Sequence, residues 1–164
     1  GGGNRCIKNN NAVSMAVKKM NSEGIPCKLY IFGRKYPGNE EIEETDYIQY
    51  CGHMDKTPYY ERLDHISCFV MNSEVESFGL VAADALNCNC SLLMSQNVGA
   101  RSIMKTEDCD IIQRPHDVDE IVEKLKYIFE HPNSNRLYES IDMQACSERS
   151  SFQRLDAIVE GAIK

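Results

Sequence analysis

Two carboxylates, Glu76 and Asp84, stand with seven residues between them in the stretch Ser73-Glu74-Val75-Glu76-Ser77-Phe78-Gly79-Leu80-Val81-Ala82-Ala83-Asp84-Ala85-Leu86. An apolar run, Ile66 to Met71, precedes the stretch and reads as a buried strand, and a helix opens at Gly79. A turn of that kind exposes backbone N–H groups and the positive end of a helix dipole, which suits a diphosphate. Gly79 allows close approach of a ligand to the backbone. At about 1.5 Å of rise per residue, the two acids are separated by about the length of a diphosphate linker. One can therefore grip hydroxyls at a sugar end and the other at a ribose end, because a carboxylate accepts both hydrogen bonds of a vicinal diol. The plainer readings are Glu76 as an acid favouring the helix dipole, Phe78 as core, and Asp84 as a polar residue on a helix face.

The elements that must position these residues alternate along the chain. Ala12, Val13, Ala16, Val17 and Met20 recur at helical spacing within residues 10–23, and Gly24-Ile25-Pro26 stops that helix. Cys27 to Phe32 is a strand ending at Gly33, and Arg34 to Asp46 is an acidic, exposed connection. Tyr47 to Cys51 is the next strand, and Pro58 to Asp64 a short helix with proline in its first turn. After the helix from Gly79 to Leu86, Ser91 to Met94 is a strand, a short helix lies near Gly99 to Lys105, and Ile111-Ile112 is a last strand. Asp117 to Glu130 is strongly amphipathic and ends at His131-Pro132. Helices follow near Asn135 to Ser147 and Phe152 to Lys164. Continuously apolar strands separated by helices predict an α/β fold, a Rossmann-like parallel sheet with helices on both faces. Such a sheet normally opens with an apolar strand feeding a glycine-rich turn. Here Gly1-Gly2-Gly3 come first, so either that strand has been cut away or the fold closes without it.

With 164 residues the chain suffices for one domain and one core. Its net charge of -7 argues against a nucleic-acid surface, while leaving room for a small basic site. No apolar run is long enough for a membrane span, and the start does not resemble a secretion signal. Cys88 and Cys90 fit neither a redox nor a zinc spacing, and all eight cysteines read as reduced thiols of a cytoplasmic protein. Asp108-Cys109-Asp110 and Asp117-Val118-Asp119 both spell D-x-D, but the first runs into a strand and the second caps a helix. No metal is expected.

Glu76-Ser77-Phe78-Gly79 with Asp84 resembles the E-x-F-G and second acid of the family-four retaining glycosyltransferases, which have the GT-B fold of two Rossmann-like domains. Upstream, Gly1 to Lys8 is similar to the family's glycine-then-Arg-then-Lys loop. Tyr50-Cys51-Gly52-His53-Met54 matches the place where that family's backbone meets the nucleobase, and Ser95 to Ala100 matches the loop after the next strand. The resemblance covers nearly all of the chain. It departs at Asp84, where the family has Glu, and at Arg101-Ser102, where it has Pro-Glu.

The resemblance implies that residues 1–164 are a nucleotide-sugar-binding, C-terminal domain whose N-terminal acceptor domain is absent. Glu76, Arg5 and Lys8 are then the catalytic residues, with the two bases clamping the diphosphate and the anomeric configuration retained. Gly3, Gly52, Phe78, Gly79, Leu80 and Asp84 hold the donor, a UDP-, GDP- or ADP-linked sugar, with no further cofactor. The acceptor is a glycan or lipid-linked sugar in polysaccharide biosynthesis, with peripheral attachment to the inner membrane face through the absent domain. This chain alone is expected to bind and not to turn over. An epimerase of the same architecture is the alternative within enzymes. A receiver-like module is a third reading, but the strand ends at Phe32-Gly33 and Met71-Asn72 lack its aspartate.

Overall fold

Successive side chains of a strand point to opposite faces, and the helices between strands cover both faces of the central strand, Ser91–Ser95. The computed structural model of the chain describes residues 8–33 and 42–142. Gly3, Arg5, most of the acidic connection and the last expected helix lie outside the described residues.

Helix α1 spans Asn10–Ser22 and buries Ala12, Val13, Ala16, Val17 and Met20. Its cap, Asn9, takes a left-handed conformation at φ 44°, which asparagine tolerates better than most residues. Strand β1, Leu29–Phe32, starts two residues later than expected. The reason is Asn21, whose side chain bonds the carbonyl and amide of Cys27 at 2.9 and 3.4 Å and so takes the groups a ladder would use. Strand β2, Ile48–Gly52, lies parallel to β1. Helix α2, Lys56–Leu63, carries Pro58 in its first turn.

Strands β3 (Cys68–Met71), β4 (Ser91–Ser95) and β5 (Ile111–Ile112) form a second parallel sheet in that order. Helix α3 is Val81–Asn87, two residues later than the expected start at Gly79. Helix α4, Val118–Glu130, and α5, Ser134–Glu139, complete the described elements. Two short 3₁₀ turns, Gly99–Ile103 and Asp108–Asp110, lie between β4 and β5.

Strand β4 is central, with all five residues buried. Leu92 and Met94 face Leu63 of α2, Ala82 and Ala85 of α3, and Leu137 of α5. Leu93, joined by Ile112, faces Ala16 and Met20 of α1 and Ile121 and Leu125 of α4. Each such side chain contributes roughly 1.5–3 kcal/mol by leaving water, so this sandwich dominates stability. Val17, Ile31, Ile42 and Ile48 form a smaller core under β1 and β2. The expected parallel α/β architecture with helices on both faces is present, in two sheets rather than one continuous sheet.

Both D-x-D stretches serve the fold. Asp110 is fully buried, and the Arg136 guanidinium reaches its two oxygens at 2.7 and 2.9 Å. Asn133 Nδ2 and the Glu107 amide also donate to it, each at 2.7 Å. Asp117 caps α4 by accepting from the amides of Asp119 and Glu120. The six described cysteines are free thiols. Burial pushes the Cys90 thiol up to about 11, so it stays protonated and unreactive at neutral pH.

Candidate functional site

The site lies at the carboxyl ends of β3, β4 and β5, where open parallel sheets bind ligands. The loop after β3 is held by its neighbours. Asn72 donates through Nδ2 to the carbonyl of Pro115 at 2.7 Å, and the Ser95 hydroxyl donates to the carbonyl of Ser73. Further along, Glu76 pairs with Val98 as an isolated parallel bridge. Its amide donates to Asn97 at 3.2 Å, and its carbonyl accepts from Gly99 at 3.1 Å. The Ala100 amide then donates to the Phe78 carbonyl at 2.6 Å.

Two glycines make this clasp possible. A Cβ on Gly99 would lie 2.0 Å from the Ser77 carbonyl oxygen, so no other residue fits without moving backbone. Gly79 has φ 85°, and a Cβ there would stand 2.6 Å from Met71 Cε and 3.3 Å from Glu76 Cγ. Gly79 therefore shapes the turn that aims Glu76, besides leaving room for a ligand.

Of the residues singled out in the sequence, the structure brings Lys8 and Glu76 together. The Lys8 ammonium, half in solvent, pairs with Glu76 Oε2 although 68 positions separate them. An ion pair so exposed contributes little to stability and is easily exchanged for another partner. Asp84 lies in the first turn of α3 and accepts a 2.7 Å hydrogen bond from the Tyr60 hydroxyl of α2. That bond raises the Tyr60 hydroxyl above its usual range, and burial pushes neighbouring Tyr59 up to about 12. Both therefore remain protonated at neutral pH, with Tyr60 the donor.

Phe78 is half-buried, whereas Leu80 and Val75 are more than 70% exposed, two apolar side chains at the lip. Gly52 closes β2 with φ 69° and accepts through its carbonyl from the Gly33 amide at 2.9 Å. It belongs to the other sheet, and His53 beside it is exposed. Gly3 and Arg5 lie outside the described residues.

Sequence reasoning missed several contributors. Tyr60 holds Asp84 from another helix, at no readable spacing. His116 Nε2 and Glu74 Oε1 meet at 3.0 Å across two loops. Buried Glu120 accepts from the amides of Gln113 and Arg114 at 2.7 and 2.9 Å and so fixes the loop after β5. The clasp role of Gly99 was visible only as a glycine in a loop. Among the described residues, no group of three or more His, Cys, Asp or Glu is arranged to hold a metal ion, and no helix is long and apolar enough to cross a membrane.

In fold the chain is similar to a UDP-forming α,α-trehalose-phosphate synthase from Burkholderia xenovorans, with a TM-score of 0.64 at 15% identity over 85% of this chain and 37% of that one. It is similar also to a sucrose-phosphate synthase from Thermosynechococcus elongatus, with a TM-score of 0.62 at 18% identity over 94% of this chain and 43% of that one. The chain thus spans less than half the length of either structure. No curated protein matches it significantly. The sequence pattern of the family described as "Glycosyl transferases group 1" matches residues 7–144, most of the chain. This protein belongs to the group 1 glycosyl transferases.

Proposed function

We propose that this chain is the C-terminal, donor-binding half of a retaining glycosyltransferase of the family-four type, acting on a nucleotide-diphospho-sugar. The observation that carries the reading is the Lys8–Glu76 pair in the glycine-braced loop at the carboxyl edge of the sheet. Without a donor, the two side chains neutralise each other. A diphosphate draws the Lys8 ammonium to itself and so releases the Glu76 carboxylate toward the sugar hydroxyls; Arg5 is the second base of the clamp that the family resemblance implies. The positive charge then stabilises the leaving diphosphate as it develops, usually the largest catalytic contribution. No metal is invoked. Asp84 takes the ribose, since one hydrogen bond from Tyr60 leaves its carboxylate able to accept others.

The acceptor, a glycan or lipid-linked sugar, is delivered by the rest of the enzyme at the cytoplasmic side of a membrane. The chain alone binds the donor without turnover. One neighbour in fold is UDP-forming, which makes uridine diphosphate the first nucleotide to try. Calorimetric titration tests the reading: a nucleoside diphosphate gives saturable heat and raises Tm by mass action. Neither heat nor shift from UDP, GDP or ADP at millimolar concentration would sink it. Sugar transfer by this chain alone would overturn the division of labour.

A further inference from the structure

Tyr60 of α2 stands opposite Asp84 of α3, and its hydroxyl donates to Asp84 Oδ1 at 2.7 Å. At the C-terminal ends of the same two helices, the Cys88 thiol donates to Asp64. The two contacts together fix α2 against α3. The Tyr60 ring is held as well, because Tyr59 packs against it with centroids 5.5 Å apart. Tyr59 is in turn packed edge-on against Phe32 at 5.4 Å. Ring and hydroxyl of Tyr60 are therefore both set in place before any ligand arrives.

A phenol has one hydrogen and two lone pairs. The hydrogen of Tyr60 is committed to Asp84, so toward any other group its oxygen can only accept. Among the described residues, Tyr60 is the only group hydrogen-bonded to the Asp84 carboxylate, and Oδ2 keeps its acceptor sites. Both side chains are half-buried, with part of each open to solvent. The result is two neighbouring oxygens, Tyr60 Oη and Asp84 Oδ2, that accept and do not donate. Acceptors fixed in this way select a ligand with hydroxyl donors. They discriminate against an analogue that lacks them, since it leaves the acceptors without partners.

We propose that Tyr60 is a specificity-determining ligand of the donor's ribose: its oxygen accepts from one hydroxyl of the diol while Asp84 Oδ2 accepts from the other, and the pair selects ribose over deoxyribose. This inference rests on the donor-binding reading above, in which Asp84 takes the ribose. It adds a direct contact from a different helix, one that extends the reach of a short side chain. Glutamate at position 84 is longer by one methylene, which carries its carboxylate toward the place of the Tyr60 oxygen. A tyrosine that only pins α2 to α3 makes no distinction between the two sugars.

The test uses whichever of UDP, GDP and ADP binds, together with its 2′,3′-dideoxy analogue. Both are titrated calorimetrically into the unaltered chain, Tyr60→Phe and Tyr60→Phe/Asp84→Glu, with Tm as the folding control. The unaltered chain should prefer the ribose form by roughly thirtyfold, about tenfold from the charged acceptor and about threefold from the phenol. Tyr60→Phe should weaken the ribose form by roughly threefold and leave the dideoxy form unchanged. Adding Asp84→Glu should return most of the lost preference. The proposal is overturned if Tyr60→Phe weakens both ligands by the same factor, or leaves the preference for ribose intact. It is overturned too if glutamate returns none of that preference in a double variant that keeps its Tm. Absence of binding by all three diphosphates to the unaltered chain is a separate result: it removes the donor-binding reading, and this inference with it, before any variant is made.

Discussion

Asp110 and Glu76 are both carboxylates paired with a base, yet they do opposite work. Asp110 is sealed under β4 with both oxygens occupied by Arg136, Asn133 and the Glu107 amide. Glu76 stands at the rim with one lysine, itself half in solvent. The buried acid is spent on the fold, and its neighbours leave nothing for a ligand to compete for. The rim acid has a partner that a stronger anion can take away. A D-x-D spelling and an E-x-F-G spelling look equally chemical in a sequence. Burial and the number of protein donors separate them.

That contrast is broken most forcefully at Asp110. Asp110→Asn leaves a guanidinium without its carboxylate and should cost about 3 kcal/mol, the low end for a buried pair because Arg136 is partly exposed. Denaturant unfolding measures this, and a loss below about 1 kcal/mol would deny Asp110 its structural role. Next comes Gly99→Ala, which drives a methyl into the Ser77 carbonyl and should cost roughly 2 kcal/mol. Because the clasp holds Glu76, this variant should also weaken donor binding where it remains folded. Unchanged stability and affinity would mean that the clasp is dispensable. The smallest effect belongs to Tyr60→Phe, which removes the donor on Asp84 and should lower diphosphate affinity by roughly threefold with Tm nearly unchanged. A large loss of Tm would make the Tyr60–Asp84 bond a fold contact instead.

The order and type of elements were legible because their periodicity is strong. α1 and α4 stand within two residues of expectation, and β4 and β5 carry the continuous apolar runs of buried strands. Boundaries moved where side chains replaced backbone partners, as Asn21 does at Cys27. Asn133 also bonds the amide and carbonyl of Leu92 at 2.9 and 2.8 Å, from 41 positions away, although β4 still starts at Ser91 as expected. No local pattern announces such a contact. At the site, Glu76, Gly79 and Asp84 were readable as a motif, and Lys8 as a resemblance. Tyr60, Gly99 and the His116–Glu74 pair were not, because tertiary packing alone brings them in.

In the proposed reading Glu76 holds the sugar while Lys8 serves the diphosphate, and donor binding separates the two side chains. Paired titrations of Glu76→Gln with a nucleotide sugar and with the bare nucleoside diphosphate test it most directly. The sugar conjugate should lose roughly tenfold in affinity, the cost of a charged hydrogen-bond partner. The bare diphosphate should bind as well as before or better, because Lys8 no longer has to leave a carboxylate. Equal losses for both ligands would mean that Glu76 does not hold the sugar.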